Sequence, residues 1–179
     1  MTFNADNNLL GNDGRGKKLR KGQNDLCDRS LSFLCSFFER HNCDALCVQE
    51  LGIRCYDVPR LVRAAFAKVG GVMYAHGTDD AEDGGSTGVM IVVRVGWTVT
   101  SVDKHVSGRA IHVTMEKGAT KFEAVCAYMP SGLDTAPRKY SRAVVPKAFL
   151  RRVLAGDIYD WIRNFTDRSP FSLVAARGT

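Results

Sequence analysis

The chain has 179 residues, of which 45% are hydrophobic and 25% are charged, an ordinary globular composition. This length has room for one hydrophobic core, so we predict a single domain over residues 1–179. The sequence lacks a secretory signal, and no segment approaches the roughly 20 apolar residues that a membrane span needs. We therefore expect an intracellular protein, nuclear or cytoplasmic, that is not secreted, has no membrane partner and has no obligate protein partner.

Cysteine and charge patterns add two expectations. The six cysteines lack C-x-x-C spacing, which predicts free and largely buried thiols. The net charge of +6 and pI of about 9.1 suit a polyanionic partner. Five basic residues crowd into one glycine-bearing loop: Arg15, Lys17, Lys18, Arg20 and Lys21. Either this loop contacts nucleic-acid phosphates, or it is a hydrated loop that keeps the protein dissolved, and the sequence leaves both interpretations open.

The first third of the chain alternates short strands with helices. Phe3 predicts a very short strand, followed by a polar loop to about Asn24. A helix is expected from Asp28, its candidate N-cap, to a stop near Asn42. The apolar run 45–48 predicts a strand covered on both faces that ends at Gln49-Glu50. A second helix is expected with Pro59 in its first turn and Gly70-Gly71 at its end.

The rest of the chain is rich in predicted strands and closes with a helix and a strand. Strands are expected at Val72–Ala75, Thr87–Val93, Trp97–Val102, Arg109–Met115 and Phe122–Ala127. A helix over Lys139–Phe165 is expected to be interrupted at Pro146 and near Gly156. Phe171–Ala175 predicts a last strand, apolar enough to be central in a sheet. The order predicts a layered α/β domain that is incomplete at its C-terminus.

Polar side chains follow several of these strands. Asn4, Asp6 and Glu50 come just after short apolar runs, where α/β proteins tend to build sites. Two carboxylates and an amide there would suit Mg²⁺, although an acidic residue at a strand end is ordinarily only hydrated. Tyr128 precedes the rigid turn at Pro130, which could present its hydroxyl to the same face. The alternative for Tyr128 is a tyrosine half-buried at a sheet edge.

Five segments together resemble successive motifs of the endonuclease/exonuclease/phosphatase superfamily. In chain order they are residues 4–6, 44–50, 88–94, 108–113 and 127–131. The block 44–50, which ends in Gln49-Glu50, is the most specific, and the Tyr128-x-Pro-Ser element is next. The sequence is most similar to apurinic-type endonucleases and to the endonuclease domains of non-LTR retrotransposons, because the first strand ends in Asn4-x-Asp6.

The resemblance implies a fold, a reaction and a set of site residues. The fold is a four-layered α/β sandwich, two packed β-sheets flanked by helices. The reaction is phosphodiester hydrolysis with Mg²⁺ or Mn²⁺, acting on nucleic acid, DNA more readily than RNA. Glu50 would be the metal-binding carboxylate, Asn4 and Asp6 would border the metal, and Tyr128 would orient or stabilise the scissile phosphate.

Two departures from the family pattern keep other functions open. The family has an Asp-x-Asn motif after its last shared strand and an Asp-His pair later in the chain. Here Arg177 stands where the Asp-x-Asn motif would begin. None of the histidines lies in a motif that matches the Asp-His pair: His41, His76, His105 and His112. A missing general base costs about 10²- to 10⁴-fold in rate, so we expect weak or no activity from this chain alone. The alternatives are a non-catalytic nucleic-acid-binding remnant and a lipid or small-molecule phosphatase.

Overall fold

The computed structural model of the chain describes residues 2–4, 23–49, 51, 60–77, 88–129, 147–166 and 172–177. These residues form three helices, α1 (Gln23–Arg40), α2 (Arg60–Lys68) and α3 (Lys147–Thr166). They also form eight strands: β1 (Thr2–Asn4), β2 (Ala45–Gln49), β3 (Gly71–His76), β4 (Val89–Arg94), β5 (Thr98–Lys104), β6 (Ala110–Lys117), β7 (Thr120–Tyr128) and β8 (Ser172–Arg177). The predicted strands are all present, with ends shifted by up to two residues. No helix in this part of the chain is long and apolar enough to cross a membrane.

The strands form two four-stranded sheets, in the orders β1-β2-β4-β3 and β5-β6-β7-β8. β1 runs parallel to β2, and β8 runs parallel to β7. The remaining neighbours are antiparallel. Each sheet therefore has one edge strand that points the same way as its neighbour, so the carboxyl ends of the two strands lie side by side.

Three apolar clusters fill the spaces between four layers. α1 and α2 cover the first sheet, where the Phe38 and Phe66 rings meet edge to face at 6.2 Å. Cys47 and Ile111 lie in the second cluster, between the sheets. Ile158 and neighbouring residues of α3 pack against the outer face of the second sheet. The predicted four-layered α/β sandwich is confirmed.

The β2 strand shows why its sequence is continuously apolar. Leu46 and Val48 belong to the cluster under the helices, whereas Cys47 between them belongs to the cluster between the sheets. Successive side chains of a strand point to opposite faces, and here both faces are covered. All five residues of β2 are buried, as predicted.

The end of α1 is fixed by a left-handed residue and an arginine from the first sheet. Asn42 has φ 46°, a conformation that asparagine tolerates, and its N–H donates to Glu39 while that of Cys43 donates to Phe38. The Arg94 guanidinium donates from Nε to the Cys43 carbonyl at 2.8 Å and from Nη2 to the Phe38 carbonyl at 2.7 Å. The predicted stop near Asn42 is confirmed.

Two helix predictions are wrong. α1 begins at Gln23, so Asp28 is an interior residue and not the N-cap. Residues 23–27 hold no proline or glycine, so nothing in their backbone chemistry stops the helix from extending. α3 continues through Gly156, which has open space around it. A glycine inside a helix costs roughly 1 kcal/mol, and the burial of Ala155 and Ile158 on the adjoining face offsets this cost. Residues 139–146 of the predicted helix lie outside the described residues.

Candidate active site

Four strand ends meet at one rim of the sandwich, which we call the site rim. In the first sheet, Asn4 at the end of β1 is in register with Gln49 at the end of β2. In the second sheet, Tyr128 at the end of β7 is in register with Arg177 at the end of β8. The Gln49 amide Nε2 donates to the Ala127 carbonyl at 2.6 Å and joins the two sheets here. The topology therefore places both parallel strand pairs beside each other.

The antiparallel strands bring a second set of groups to the site rim. β3 ends at His76, which is opposite Val89. β6 begins at Ala110, opposite Ala127. The turn between β5 and β6, residues 105–109, therefore projects from this rim. The imidazole Nε2 of His76 lies 2.6 Å from the His105 carbonyl oxygen and donates to it, which ties the first sheet to this turn.

Polar side chains at the site rim are buried to an unusual degree. Gln49, His76, Arg109 and Tyr128 are only 3%, 5%, 4% and 5% exposed. The Arg109 guanidinium carbon lies 5.3 Å from the centre of the Tyr128 ring, within the range of a cation–π contact. The Tyr128 N–H also donates to the Arg109 carbonyl at 2.7 Å. A cation so poorly hydrated raises the electrostatic potential at the rim and favours an anion nearby.

The two histidines of the site rim are held in their neutral form. Burial lowers the pKa of His76, and the nearby Lys104 and His105 lower it further against the opposing effect of the hydrogen bond to the His105 carbonyl. Burial also lowers the pKa of His105, against an opposing effect of Asp157. At neutral pH both rings are therefore uncharged, so the cationic character described above comes from Arg109.

Two thiols lie just beneath the site rim, between the sheets. Cys47 and Cys126 are both fully buried, and the Cys126 thiol donates to the Val48 carbonyl at 3.4 Å. Burial raises the pKa of Cys126, whereas the hydrogen bond from Cys126 lowers the pKa of Cys47. Cys47 and Cys126 are free thiols, as are Cys35 and Cys43. These core thiols have no access to a substrate, so we assign them to packing.

The residues predicted from sequence fall into two groups. Tyr128 lies at the site rim but is buried in the inter-sheet core, so the half-buried alternative for it is wrong. Asn4 ends β1 at the rim, and the structure describes its backbone position alone. Glu50, which directly follows β2, and Asp6 lie outside the described residues. The same holds for the five basic residues of the segment 15–21, namely Arg15, Lys17, Lys18, Arg20 and Lys21.

The predicted metal site at the rim stays a prediction. No group of three or more His, Cys, Asp or Glu side chains capable of holding a metal ion occurs among the described residues. The backbone of Asn4 lies beside that of Gln49, the last residue of β2. Amide and carboxylate oxygens are donors that Mg²⁺ and Mn²⁺ accept, which is the chemical reason for the prediction of Asn4, Asp6 and Glu50.

Arg109 and His76 are residues of the candidate site that the sequence does not predict. Arg109 carried one usable signal, a charged residue directly before the apolar run of β6, at a position that burial would make costly. His76 carried none, because its partner is 29 residues away along the chain. Gln49 belongs to the block 44–50 that resembles the superfamily, but its bond to a residue 78 positions away could not be predicted. Only the sheet topology brings those partners together.

Comparison with solved structures identifies the fold. No family model matches the sequence, and no curated protein is significantly similar to it. An AP endonuclease from Archaeoglobus fulgidus superposes with a TM-score of 0.59 at 16% identity, over 98% of this chain and 55% of that one. An endonuclease/exonuclease/phosphatase family protein from Leptotrichia buccalis C-1013-b superposes with a TM-score of 0.55 at 12% identity, over 98% of this chain and 64% of that one.

A third similar structure is D. rerio TDP2 complexed with single strand DNA product, with a TM-score of 0.51 at 12% identity, over 99% of this chain and 58% of that one. The chain therefore has the fold of the endonuclease/exonuclease/phosphatase superfamily, as its motifs indicated. It spans between 55% and 64% of the length of these three proteins.

Proposed function

We propose that this chain carries the metal-binding half of a phosphodiester hydrolase that acts on nucleic acid. The observation that carries the proposal is the convergence of four strand ends at one rim, where Asn4 and Gln49 lie in register and Gln49 bonds across to β7. A buried arginine on a tyrosine ring beside them supplies positive charge for a phosphate. The superfamily fold, in which sites of hydrolytic enzymes are built, supports the assignment.

In this proposal each residue of the rim has a distinct task. Glu50 binds Mg²⁺ or Mn²⁺, with Asn4 and Asp6 bordering the ion. When bound, such an ion offsets the charge that develops on the phosphate oxygens. Tyr128 orients the scissile phosphate, and Arg109 above its ring adds long-range attraction for that phosphate. The Gln49 bond to β7 holds the ends of β2 and β7 at a fixed separation, and catalysis by positioning requires such a fixed geometry.

Charge favours nucleic acid over a small phosphoester as the substrate. The chain has a net charge of +6, and five of its cations lie within residues 15–21. A single phosphate needs no such extended charge, whereas a polyanion gains affinity from every counterion released. The solved TDP2 complex with single strand DNA product shows that a protein of this fold can hold DNA. We propose DNA as the substrate and, from the Asn4-x-Asp6 element, an origin in a retroelement.

Metal binding and strand cleavage test the proposal separately. Titration with Mg²⁺ and Mn²⁺ by calorimetry should show at least about a tenfold loss of affinity in Glu50→Gln, equivalent to roughly 1.4 kcal/mol. Glu116→Gln is the matched control, because this exposed carboxylate lies at the opposite end of the sheets. Equal metal affinity in the two variants would refute the assignment of Glu50.

Nicking of supercoiled plasmid with Mg²⁺ then tests the reaction. Slow nicking that Glu50→Gln abolishes and Glu116→Gln preserves is the expected result. DNA binding without any nicking would identify a non-catalytic binding remnant. Release of phosphate from small phosphomonoesters or inositol phosphates, with no action on DNA, would identify a phosphatase instead.

A further inference from the structure

The β5–β6 turn, residues 105–109, presents an exposed apolar side chain at the site rim. Val106 is 87% exposed, more than any other large hydrophobic side chain in the described part of the chain. Val95 is next at 65%, and it lies in the β4–β5 turn at the opposite end of the sheets. Isolated exposed valines are common on protein surfaces, so exposure by itself identifies nothing. The surroundings of Val106 distinguish it.

The turn that carries Val106 is braced by its own hydrogen bonds. The N–H of His105 donates to the Ala110 carbonyl at 3.0 Å, and that of Gly108 donates to the His105 carbonyl at 3.0 Å. The Ser107 hydroxyl lies 2.7 Å from Nδ1 of His105 and accepts from the Arg109 N–H at 3.3 Å. These bonds close a compact loop with Val106 at its tip.

The same turn is anchored from both neighbouring layers. His76 of the first sheet donates to the His105 carbonyl at 2.6 Å. The His105 ring meets the Trp161 ring of α3 edge to face at 5.6 Å. The first sheet, α3 and the turn's own hydrogen bonds all fix the position of the tip. It therefore loses little conformational entropy when it binds a partner, because folding has already ordered it.

Positive charge flanks the apolar tip. Lys104, the last residue of β5, is exposed, and its charge is near enough to depress the pKa of His76 at the site rim. Arg109 closes the turn on its other side. The Arg109 guanidinium is only 4% exposed and packs on the Tyr128 ring, so Lys104 is the exposed cation beside the tip. An apolar side chain next to an exposed cation matches a nucleic-acid strand, which offers sugar and base faces beside phosphates.

The turn lies close enough to the proposed site to reach the same strand. It joins β5 to β6, and β6 is the direct neighbour of β7, which ends at Tyr128. Neighbouring strands are about 4.8 Å apart, so the turn is roughly 5–10 Å from the end of β7. A duplex advances about 3.4 Å per nucleotide along one strand, so this span corresponds to about two or three nucleotides.

We propose that the β5–β6 turn is a preformed contact for the DNA strand that leaves the site, with Val106 packed against sugar and base faces and Lys104 on a flanking phosphate. This inference rests on the proposed function, because it assumes DNA at the site rim. It adds a second contact with two parts: the Val106 part depends on apolar burial and is insensitive to salt, whereas the Lys104 part depends on charge and weakens with salt.

Fluorescence anisotropy of a labelled DNA duplex and of the matching single strand measures this contact in the full chain. Val106→Ser should weaken binding about threefold to tenfold, since partial burial of a valine is favourable. Val95→Ser, the same change at the other end of the sheets, should have no effect. Lys104→Gln should lower the slope of log K against log salt by about 0.7–0.9, and Lys117→Gln at the opposite end should not. Thermal melts confirm that all four variants fold.

The outcomes separate the inference from the function on which it rests. A loss of affinity in Val106→Ser with an unchanged salt slope supports the contact. Comparison of the duplex with the single strand shows which form of DNA the turn binds. Equal affinities for Val106→Ser, Val95→Ser and wild type would overturn the contact while leaving the proposed function intact. Absence of any DNA binding by the wild-type chain would overturn both.

Discussion

The amide of Gln49 and the carbonyl of Ala127 are joined by a 2.6 Å hydrogen bond that links the two sheets across 78 residues of chain. Gln49 is 3% exposed and Ala127 is fully buried, so water cannot replace the bond if it is lost. The bond lies at the carboxyl ends of β2 and β7. Stability and site geometry therefore depend on the same contact.

Replacement of Gln49 by Met should destabilise the fold by about 1–3 kcal/mol, because it leaves a buried carbonyl without this donor. For a chain of this size that corresponds to a fall of roughly 2–4 °C in Tm per kcal/mol. Urea unfolding monitored by circular dichroism measures it. Thr100→Val is the comparison, since its hydroxyl makes a longer, 3.4 Å bond to Thr114 from an exposed site. Equal costs for the two substitutions would contradict the role given to Gln49.

Arg94→Lys should lower the free energy of unfolding by about 1–3 kcal/mol, although the substitution keeps the positive charge. Arg94 donates from two nitrogens to the end of α1 and lies over the Phe38 ring at 4.6 Å, a geometry that the single ammonium of lysine cannot reproduce. Chemical denaturation gives the difference in unfolding free energy. Arg163→Lys serves as the control, because Arg163 is 73% exposed and its ion pair with Asp160 is at the surface. An unchanged free energy of unfolding in Arg94→Lys would show that a positive charge alone is enough to stabilise the end of α1.

The stability of the protein should fall as the pH drops from 7.5 to 5.5. Burial lowers the pKa of folded His76 below its ordinary value, so the unfolded chain binds this proton more tightly. The contribution of His76 is therefore complete above about pH 6.5 and is lost as the pH falls towards the folded pKa. His105 acts in the same direction.

His76→Gln tests this pH dependence, because glutamine retains a donor for the His105 carbonyl but does not titrate. Urea midpoints of wild type and variant at the two pH values should show a smaller acid loss in the variant. Both proteins contain the same other titratable groups, so the difference between their acid losses isolates His76. An identical acid loss in both proteins would exclude His76 as its source.

Neutralising the basic loop should reduce the salt dependence of DNA binding. Replacement of Arg15, Lys17, Lys18, Arg20 and Lys21 by glutamine should lower the slope of log K against log salt by up to about 4, at roughly 0.9 per phosphate contact. Anisotropy titrations between low and physiological salt provide the slope. If the slope of the variant equals that of the wild type, these five residues are only hydrated and do not contact phosphates.

The elements that could be predicted from sequence are those specified by local chemistry. The stop of α1 follows from Asn42, and β2 follows from a short apolar run that ends in two polar residues. The start of α1 at Gln23 could not be predicted, because Asn24, Asp25 and Asp28 are all residue types that favour an N-cap, and the sequence does not choose between them. The passage of α3 through Gly156 depends on packing against the second sheet, which is tertiary information.

The candidate site divides in the same way. Tyr128 is predicted from a segment that resembles a superfamily motif, and it ends β7 at the rim, whereas its role toward a phosphate stays a prediction. The contacts around it were not predictable: the Arg109 cation over its ring depends on the alignment of β6 with β7, and the His76 bond depends on how the two sheets face each other. The register between strands and the packing of one sheet against the other are properties of the completed fold.

The wide sequence separation across the Gln49–Ala127 bond has a consequence for how the protein acquires its site during folding. Helices such as α1 form through contacts between near neighbours, whereas the site rim requires chain segments 78 residues apart to meet. Closure of so large a loop carries an entropic cost that is recovered only when both sheets are in place. A refolding chain should thus regain helical circular dichroism before it regains metal or DNA affinity, and a collapsed intermediate would hold much of the secondary structure with no site at all.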